Sequence, residues 1–187
     1  VGTTLQGNSS TLPVTLDEMI YHCRMVRRGA PDSFLIGDMP FGSYQTDQKT
    51  GVESAVRLMK EGFCDAVKLE GAEKETLAII KILTAAGVPV MGHIGLTPQS
   101  YLKLGGYRVQ GRTESESAQL TEDALQLERA GCFSMVMELI VAGCAKTITD
   151  QIHVPSIGIG SGNGTTGQVL VMHDMLGLNP DFQAKHA

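Results

Sequence analysis

With 187 residues, 42% of them hydrophobic and 19% charged, the chain has the composition of one globular domain with a sizeable core, not of a tail or linker. A formal net charge of −5 without any run of Lys or Arg excludes the electrostatic footprint of a nucleic-acid or anionic-membrane binder and leaves small ligands. No apolar stretch approaches the ~20 residues of a membrane span, and the start lacks the basic-then-apolar layout of a signal peptide.

Thr15 and Glu18 are spaced as a capping box, and Met19, Cys23 and Val26 recur at i, i+4 and i+7, which predicts a helix to about Arg28, ending near Gly29. An apolar strand around Phe34 to Asp38 follows. Val52, Ala55, Val56 and Met59 mark the next helix, closed by Gly62, and Ala66 to Glu70 the next strand. Leu77, Ile80 and Leu83 form a helix ended by Gly87, before a strand from Pro89 to His93. Leu120, Ala124 and Leu127 give a helix stopped at Gly131; then come a strand from Phe133 to Glu138, a short helix from Ala142 to Asp150, and strands at Pro155 to Ile159 and Gln168 to His173. Four cysteines, Cys23, Cys64, Cys132 and Cys144, lack C-x-x-C spacing and read as small core hydrophobes of a reducing compartment.

Repeated β-α units demand a parallel sheet covered by helices, either open and doubly wound or closed as a barrel. An open sheet gathers its ligand contacts at the point where strand order reverses, whereas a barrel draws them from many strand ends around one mouth. Here chemistry-bearing residues stand at or near the ends of most strands, so the expected fold class is α/β, a TIM (β/α)8 barrel. Eight strands and about 250 residues are typical of that fold. Residues 1–187 are therefore expected to be a single barrel domain truncated to about six β-α units, lacking N-terminal strands and C-terminal helices. Val1 falls within a loop-like stretch, in keeping with processing or truncation.

An unpaired carboxylate at the end of a buried strand costs several kcal/mol, so the repeated placement of acids at one end argues for a shared polar site. Asp38 closes its strand before Met39-Pro40-Phe41 and serves either the site or the turn. Lys68 and Glu70, two apart, share a face, as a buried ion pair or as site residues. His93 alone reads as a satisfied core histidine. Glu138 ends an apolar strand with no basic residue nearby in sequence, which suits a general base or acid; pairing with Lys68 is the alternative. The glycine-rich stretch from Gly158 to Gly167 reads as a tight turn at the barrel mouth, since no long helix follows to make it a dinucleotide fingerprint. His173-Asp174 reads as a structural turn. Three carboxylates without a His/Cys cluster favour Mg²⁺ over Zn²⁺.

Ser10-Thr-Leu-Pro-Val-Thr-Leu-Asp-Glu-Met19, Gly37-Asp-Met-Pro-Phe41, Val67-Lys-Leu-Glu-Gly71, Gly92-His-Ile-Gly-Leu-Thr-Pro-Gln-Ser100, Gly105-Gly-Tyr-Arg-Val-Gln-Gly-Arg112 and Ile157-Gly-Ile-Gly160 resemble, in order, the ketopantoate hydroxymethyltransferase family. The resemblance runs from Val1 to about Leu178. It implies a (β/α)8 barrel that uses Mg²⁺ and transfers a hydroxymethyl group from 5,10-methylenetetrahydrofolate to 3-methyl-2-oxobutanoate, at the first committed step of pantothenate synthesis. By motif, Asp38 resembles the aspartate that binds both metal and oxo acid, and Glu70 the further acidic metal-site residue. Lys68 resembles the substrate-contacting lysine, Glu138 the proton acceptor, and His93 a substrate-side histidine. The resemblance leaves the folate-binding residues unknown. It also implies a large homo-oligomer, a decamer, in the cytoplasm of bacteria or the mitochondria of eukaryotes, with no nucleic-acid or membrane partner.

The sequence departs from the family pattern in places. The family's Gly-Asp-Ser motif, with a metal-binding Asp, would fall immediately before Val1, so these residues alone are expected to bind metal weakly and turn over little. Leu139-Ile140-Val141 stand where the family reads Cys-Val-Pro, and Thr166 where a polar or acidic residue is common. Two other readings remain open: an Mg²⁺-dependent oxo-acid lyase of the phosphoenolpyruvate mutase type, and a non-catalytic barrel fragment.

Overall fold

Helix starts are fixed by side chains that take up free backbone N–H groups. In the computed structural model, which describes residues 1–178, the Thr15 hydroxyl accepts the Glu18 N–H and Glu18 reciprocates, opening α1 (Leu16–Gly29). Thr113 and Glu116 repeat this box at α4 (Glu114–Arg129), and Asp47 caps α2 (Gln48–Gly62). The remaining helices are α3 (Lys74–Ala85), α5 (Ala142–Gln151) and the short α6 (Met172–Met175). Between them lie β1 (Ile36–Asp38), β2 (Ala66–Lys68), β3 (Val90–Gly95), β4 (Ser134–Glu138), β5 (Ser156–Ile159) and β6 (Gly167–Gln168).

All six strands are parallel and neighbour one another in chain order, β1 to β6. That order has no reversal point, so the doubly wound alternative is excluded; the sheet is a half-barrel wall whose free edges, among the described residues, are β1 and β6. One expectation fails: the apolar run from Gln168 to His173 does not continue as a strand. Only Gly167 and Gln168 pair with β5, and Met172–Met175 turn into α6, carrying His173 and Asp174 with them. An apolar run does not by itself distinguish strand from helix, and here the last bond to β5 is that of the Val169 N–H to the Gly158 carbonyl at 3.0 Å, after which the chain turns away.

The wall has two faces. On the helix side, Val67, Leu69, Met135 and Met137 from the strands pack with Leu58, Ile80, Leu83, Leu127 and Ile148 from the helices. On the other face a smaller apolar layer holds Met91, Val136 and Ile159, with Ile36 and Ile157 against it. Because side chains alternate across a strand, the residues two positions after Ile36, Met91 and Val136 share that second face: Asp38, His93 and Glu138. All four cysteines are buried and unpaired, and burial pushes the Cys132 thiol up to about 12, as fits core residues. No helix among the described residues is long and apolar enough to cross a membrane.

The helix layer sits close because Gly92 has no side chain: a Cβ there would stand 2.8 Å from the Leu127 side chain. Leu127 is completely buried in that contact. Leu127→Ala is therefore expected to destabilise the fold by about 3 kcal/mol, read as a lower urea midpoint with an unchanged slope.

Candidate active site

Backbone register brings the charged residues level at one end of the wall. Asp38 pairs with Lys68, Lys68 with Met91, Gly95 with Glu138, and Glu138 with Ile159. Glu70 lies just past the end of β2. The five residues expected to form the site thus converge at the C-terminal ends of β1 to β4.

Lys68 is the hub. Its Nζ lies 2.8 Å from Asp38 Oδ1, 3.8 Å from Glu70 Oε1 and 3.1 Å from His93 Nδ1. Burial alone would depress the ammonium, but Asp38 and Glu70, with Glu138 behind them, outweigh it and hold the pKa of Lys68 above the ordinary lysine value. Lys68 is thus the donor to His93 Nδ1, and the ring proton sits on Nε2. That nitrogen faces Glu138 Oε2 at 3.3 Å. Glu138 therefore meets His93, not Lys68, and His93 is no bland core residue despite being 3% exposed. It stands between the lysine and the base candidate.

The carboxylates differ in environment. Asp38 is half exposed, its side chain 45% accessible, while that of Glu70 is 5% accessible. Burial raises the Glu70 pKa, offset in part by Lys68 and His93. One Glu70 oxygen, Oε2, accepts the Gln99 backbone N–H at 3.0 Å. Asp38 Oδ1 and His93 Nε2 are buried without an aligned hydrogen bond, despite their charged neighbours. Just beyond the base candidate, Leu139 holds a left-handed φ of +47°, a strained conformation for a side chain of its size. Its N–H reaches Ile159 O at 2.9 Å and its C=O takes the Gln110 N–H at 2.8 Å. Gly95 turns at φ +90°, and a Cβ there would stand 2.3 Å from Glu138 O, so glycine is required where β3 passes Glu138.

Above the cluster runs the β3–α4 connection, opened by a 3₁₀ turn at Pro98–Ser100, which the sequence did not announce. Tyr101 and Tyr107 stack in it at 5.8 Å, and burial, followed by the charge of Glu138, raises the Tyr107 phenol. A cavity of about 400 Å³ lies nearby, lined by Ile94, Leu120 and Asp123 among others, but by none of the five site residues. No group of three or more His, Cys, Asp and Glu suited to hold a metal ion occurs among the described residues. Asp38 and Glu70, two hard carboxylates converging on one ammonium, are the available donors for a cation such as Mg²⁺, which is commonly held by one or two carboxylates plus substrate and water.

A family model described as ketopantoate hydroxymethyltransferase matches residues 1–187. The chain belongs to that family. Among relatives named 3-methyl-2-oxobutanoate hydroxymethyltransferase, that of Leptospira interrogans is 54% identical over 185 residues, covering 99% of this chain and 70% of that protein. Those of Desulfotalea psychrophila and Thermotoga maritima are 53% and 51% identical, with 66% and 67% of their lengths covered. This member of the ketopantoate hydroxymethyltransferase family thus spans about two thirds of those relatives. Solved structures share its fold at 12% identity. Oxaloacetate acetylhydrolase in complex with 3,3-difluorooxalacetate superposes with a TM-score of 0.69, over 95% of this chain and 67% of that one. A 2,3-dimethylmalate lyase of the PEP mutase/isocitrate lyase superfamily gives 0.59, over 83% and 55%.

Because the Glu70 pKa is raised, its ionised form is penalised in the folded state, and stability is lost as pH rises through the raised value. Glu70→Gln keeps an acceptor for the Gln99 N–H and removes the buried charge. In metal-free buffer its Tm relative to that of the unmodified chain is expected to increase as pH rises from below the ordinary glutamate value to 7, because only the unmodified chain must ionise a buried carboxyl; calorimetry across that range checks it.

Proposed function

We propose that this chain carries the one-carbon transfer after which its relatives are named: a hydroxymethyl group passes from 5,10-methylenetetrahydrofolate to 3-methyl-2-oxobutanoate, giving 2-dehydropantoate on the way to pantothenate. The reading rests on the convergence of Asp38, Lys68, Glu70, His93 and Glu138 at one end of a parallel wall in a member of this family. In it, the six strands are part of a (β/α)8 barrel, and the chain works as a single domain in the cytoplasm.

In this reading Glu138 takes the proton from C3 of the oxo acid, and the C3–H electron pair moves into an enolate. His93, its Nε2 3.3 Å from Glu138 Oε2, lies against the Glu138 carboxylate and limits where it can turn. Lys68 presents a cation to the oxo-acid end of the substrate, balanced by Asp38. Asp38 and Glu70 would hold Mg²⁺, which when bound supplies positive charge against the negative charge developing on the keto oxygen. C3 then attacks the methylene carbon of the folate; both bonds from that carbon to folate nitrogens break, one replaced by the bond to C3 and the other by the bond to the oxygen of a water, and the proton taken by Glu138 and the one released by that water pass to the two nitrogens, giving tetrahydrofolate and the hydroxymethyl product. Removal of a positioned base typically costs a factor of about 10²–10⁴.

Exchange of the C3 proton of 3-methyl-2-oxobutanoate into heavy water, followed by NMR, isolates the first step and needs no folate. With Mg²⁺ the chain is expected to exchange the proton slowly and a form extended at its N-terminus to include the family's Gly-Asp-Ser motif faster, while Glu138→Gln slows exchange by about 100-fold or more. Exchange that survives Glu138→Gln unchanged would exclude Glu138 as the base. Failure to exchange at all would favour a non-catalytic role.

A further inference from the structure

We propose that Gln99 and Tyr44 form a positioning latch that fixes Glu70 with one carboxylate oxygen tied down and the other turned toward Lys68 and His93. The proposal rests on the reading of Glu70 as a member of the site and extends it to two residues lying behind Glu70.

Both are buried polar side chains, with 8% of Gln99 and 2% of Tyr44 exposed. The Gln99 side chain donates from Nε2 to the Met39 carbonyl at 2.8 Å, and its Oε1 accepts from the Tyr44 hydroxyl at 3.2 Å and from Gln45 Nε2 at 2.9 Å. The Tyr44 oxygen in turn accepts the Glu70 backbone N–H at 3.1 Å. With its side chain pinned in this way, Gln99 delivers its own backbone N–H to Glu70 Oε2 at 3.0 Å. Met39 follows Asp38 at the end of β1, Glu70 follows β2, and Gln99 lies beyond β3. Three strand ends are thereby tied through one amide side chain.

A brace that only held the loops together would already be closed by Met39, Gln99 and Tyr44. The additional bond to the carboxylate does something else: it leaves Oε1 as the oxygen facing Lys68 at 3.8 Å and His93 Nδ1 at 3.9 Å. Without it, the Glu70 carboxylate is free to rotate about its last torsion, which is broad for an sp² end group. Displacements of about 1 Å can cost ~10²-fold in rate. Burial, then the charge of Glu70, drives the Tyr44 phenol upward, so it keeps its proton as the donor to Gln99.

The test compares Gln99→Met, Tyr44→Phe and a control, Ile148→Val, which trims a buried residue outside the site. Tyr44→Phe removes a single oxygen and covers the case in which Gln99→Met does not fold. Metal-free ¹H–¹⁵N spectra of the His93 ring and the kcat and KM of C3-proton exchange are recorded for each. Both latch variants are expected to shift the ring nitrogen resonances and to lower kcat about tenfold, with KM within about threefold; Ile148→Val is expected to move neither. Latch variants that lower Tm yet leave the ring spectrum and kcat unchanged would make the contacts a brace and overturn the proposal. If the unmodified chain does not exchange the proton, the functional reading falls, and the His93 spectra alone decide the latch.

Discussion

The buried ammonium of Lys68 governs the rest of the site. A charge removed from water is expensive unless it is paired with good geometry, and here the compensation comes from Asp38 at 2.8 Å and Glu70 at 3.8 Å, with His93 accepting at 3.1 Å. Each partner stands on a different strand or just past one. Charge compensation at this point therefore depends on the register in which β1, β2 and β3 meet. Because Lys68 takes up Nδ1, His93 Nε2 is left facing Glu138 Oε2 at 3.3 Å, and one imidazole links the end of β2 to the end of β4.

The wall divides labour between its faces. On the helix side, methionine, leucine and isoleucine fill the space between strands and helices, and Gly92 admits α4 to close contact. On the opposite side, an apolar storey of Ile36, Met91 and Val136 lies beneath a polar one of Asp38, His93 and Glu138. The lower layer excludes water from below, strengthening the electrostatics above it. Gly95 and Leu139, both with positive φ, stand where these layers end and fix how β3 and β4 leave the sheet around Glu138.

Much of this was legible from residue order. The capping box at Thr15 and Glu18, the β-α alternation and the acids at strand ends depend on short-range periodicity, and each has its counterpart in the structure. The pairing of Glu138 was less accessible, because His93 lies 45 positions away in the sequence and only the β3–β4 register joins them. The run after Gln168 misled, since apolar content reports burial more faithfully than conformation. Tyr44 carried no signal, being a single aromatic in a loop. Gln99 lay in full view inside the block from Gly92 to Ser100, but its partners Met39, Tyr44 and Glu70 come from two other connections.

The sequential strand order has a consequence for how the molecule comes into being. Each strand pairs with the strands next to it in sequence, so the sheet is built from neighbours in chain order. The polar cluster does not share that economy. Asp38 and Glu138 are separated by 100 positions, and the intervening units must be seated before the carboxylates of the first and fourth strands can share one end of the wall. The buried Lys68 ammonium, by contrast, has its full set of partners only once β1, β2 and β3 stand side by side.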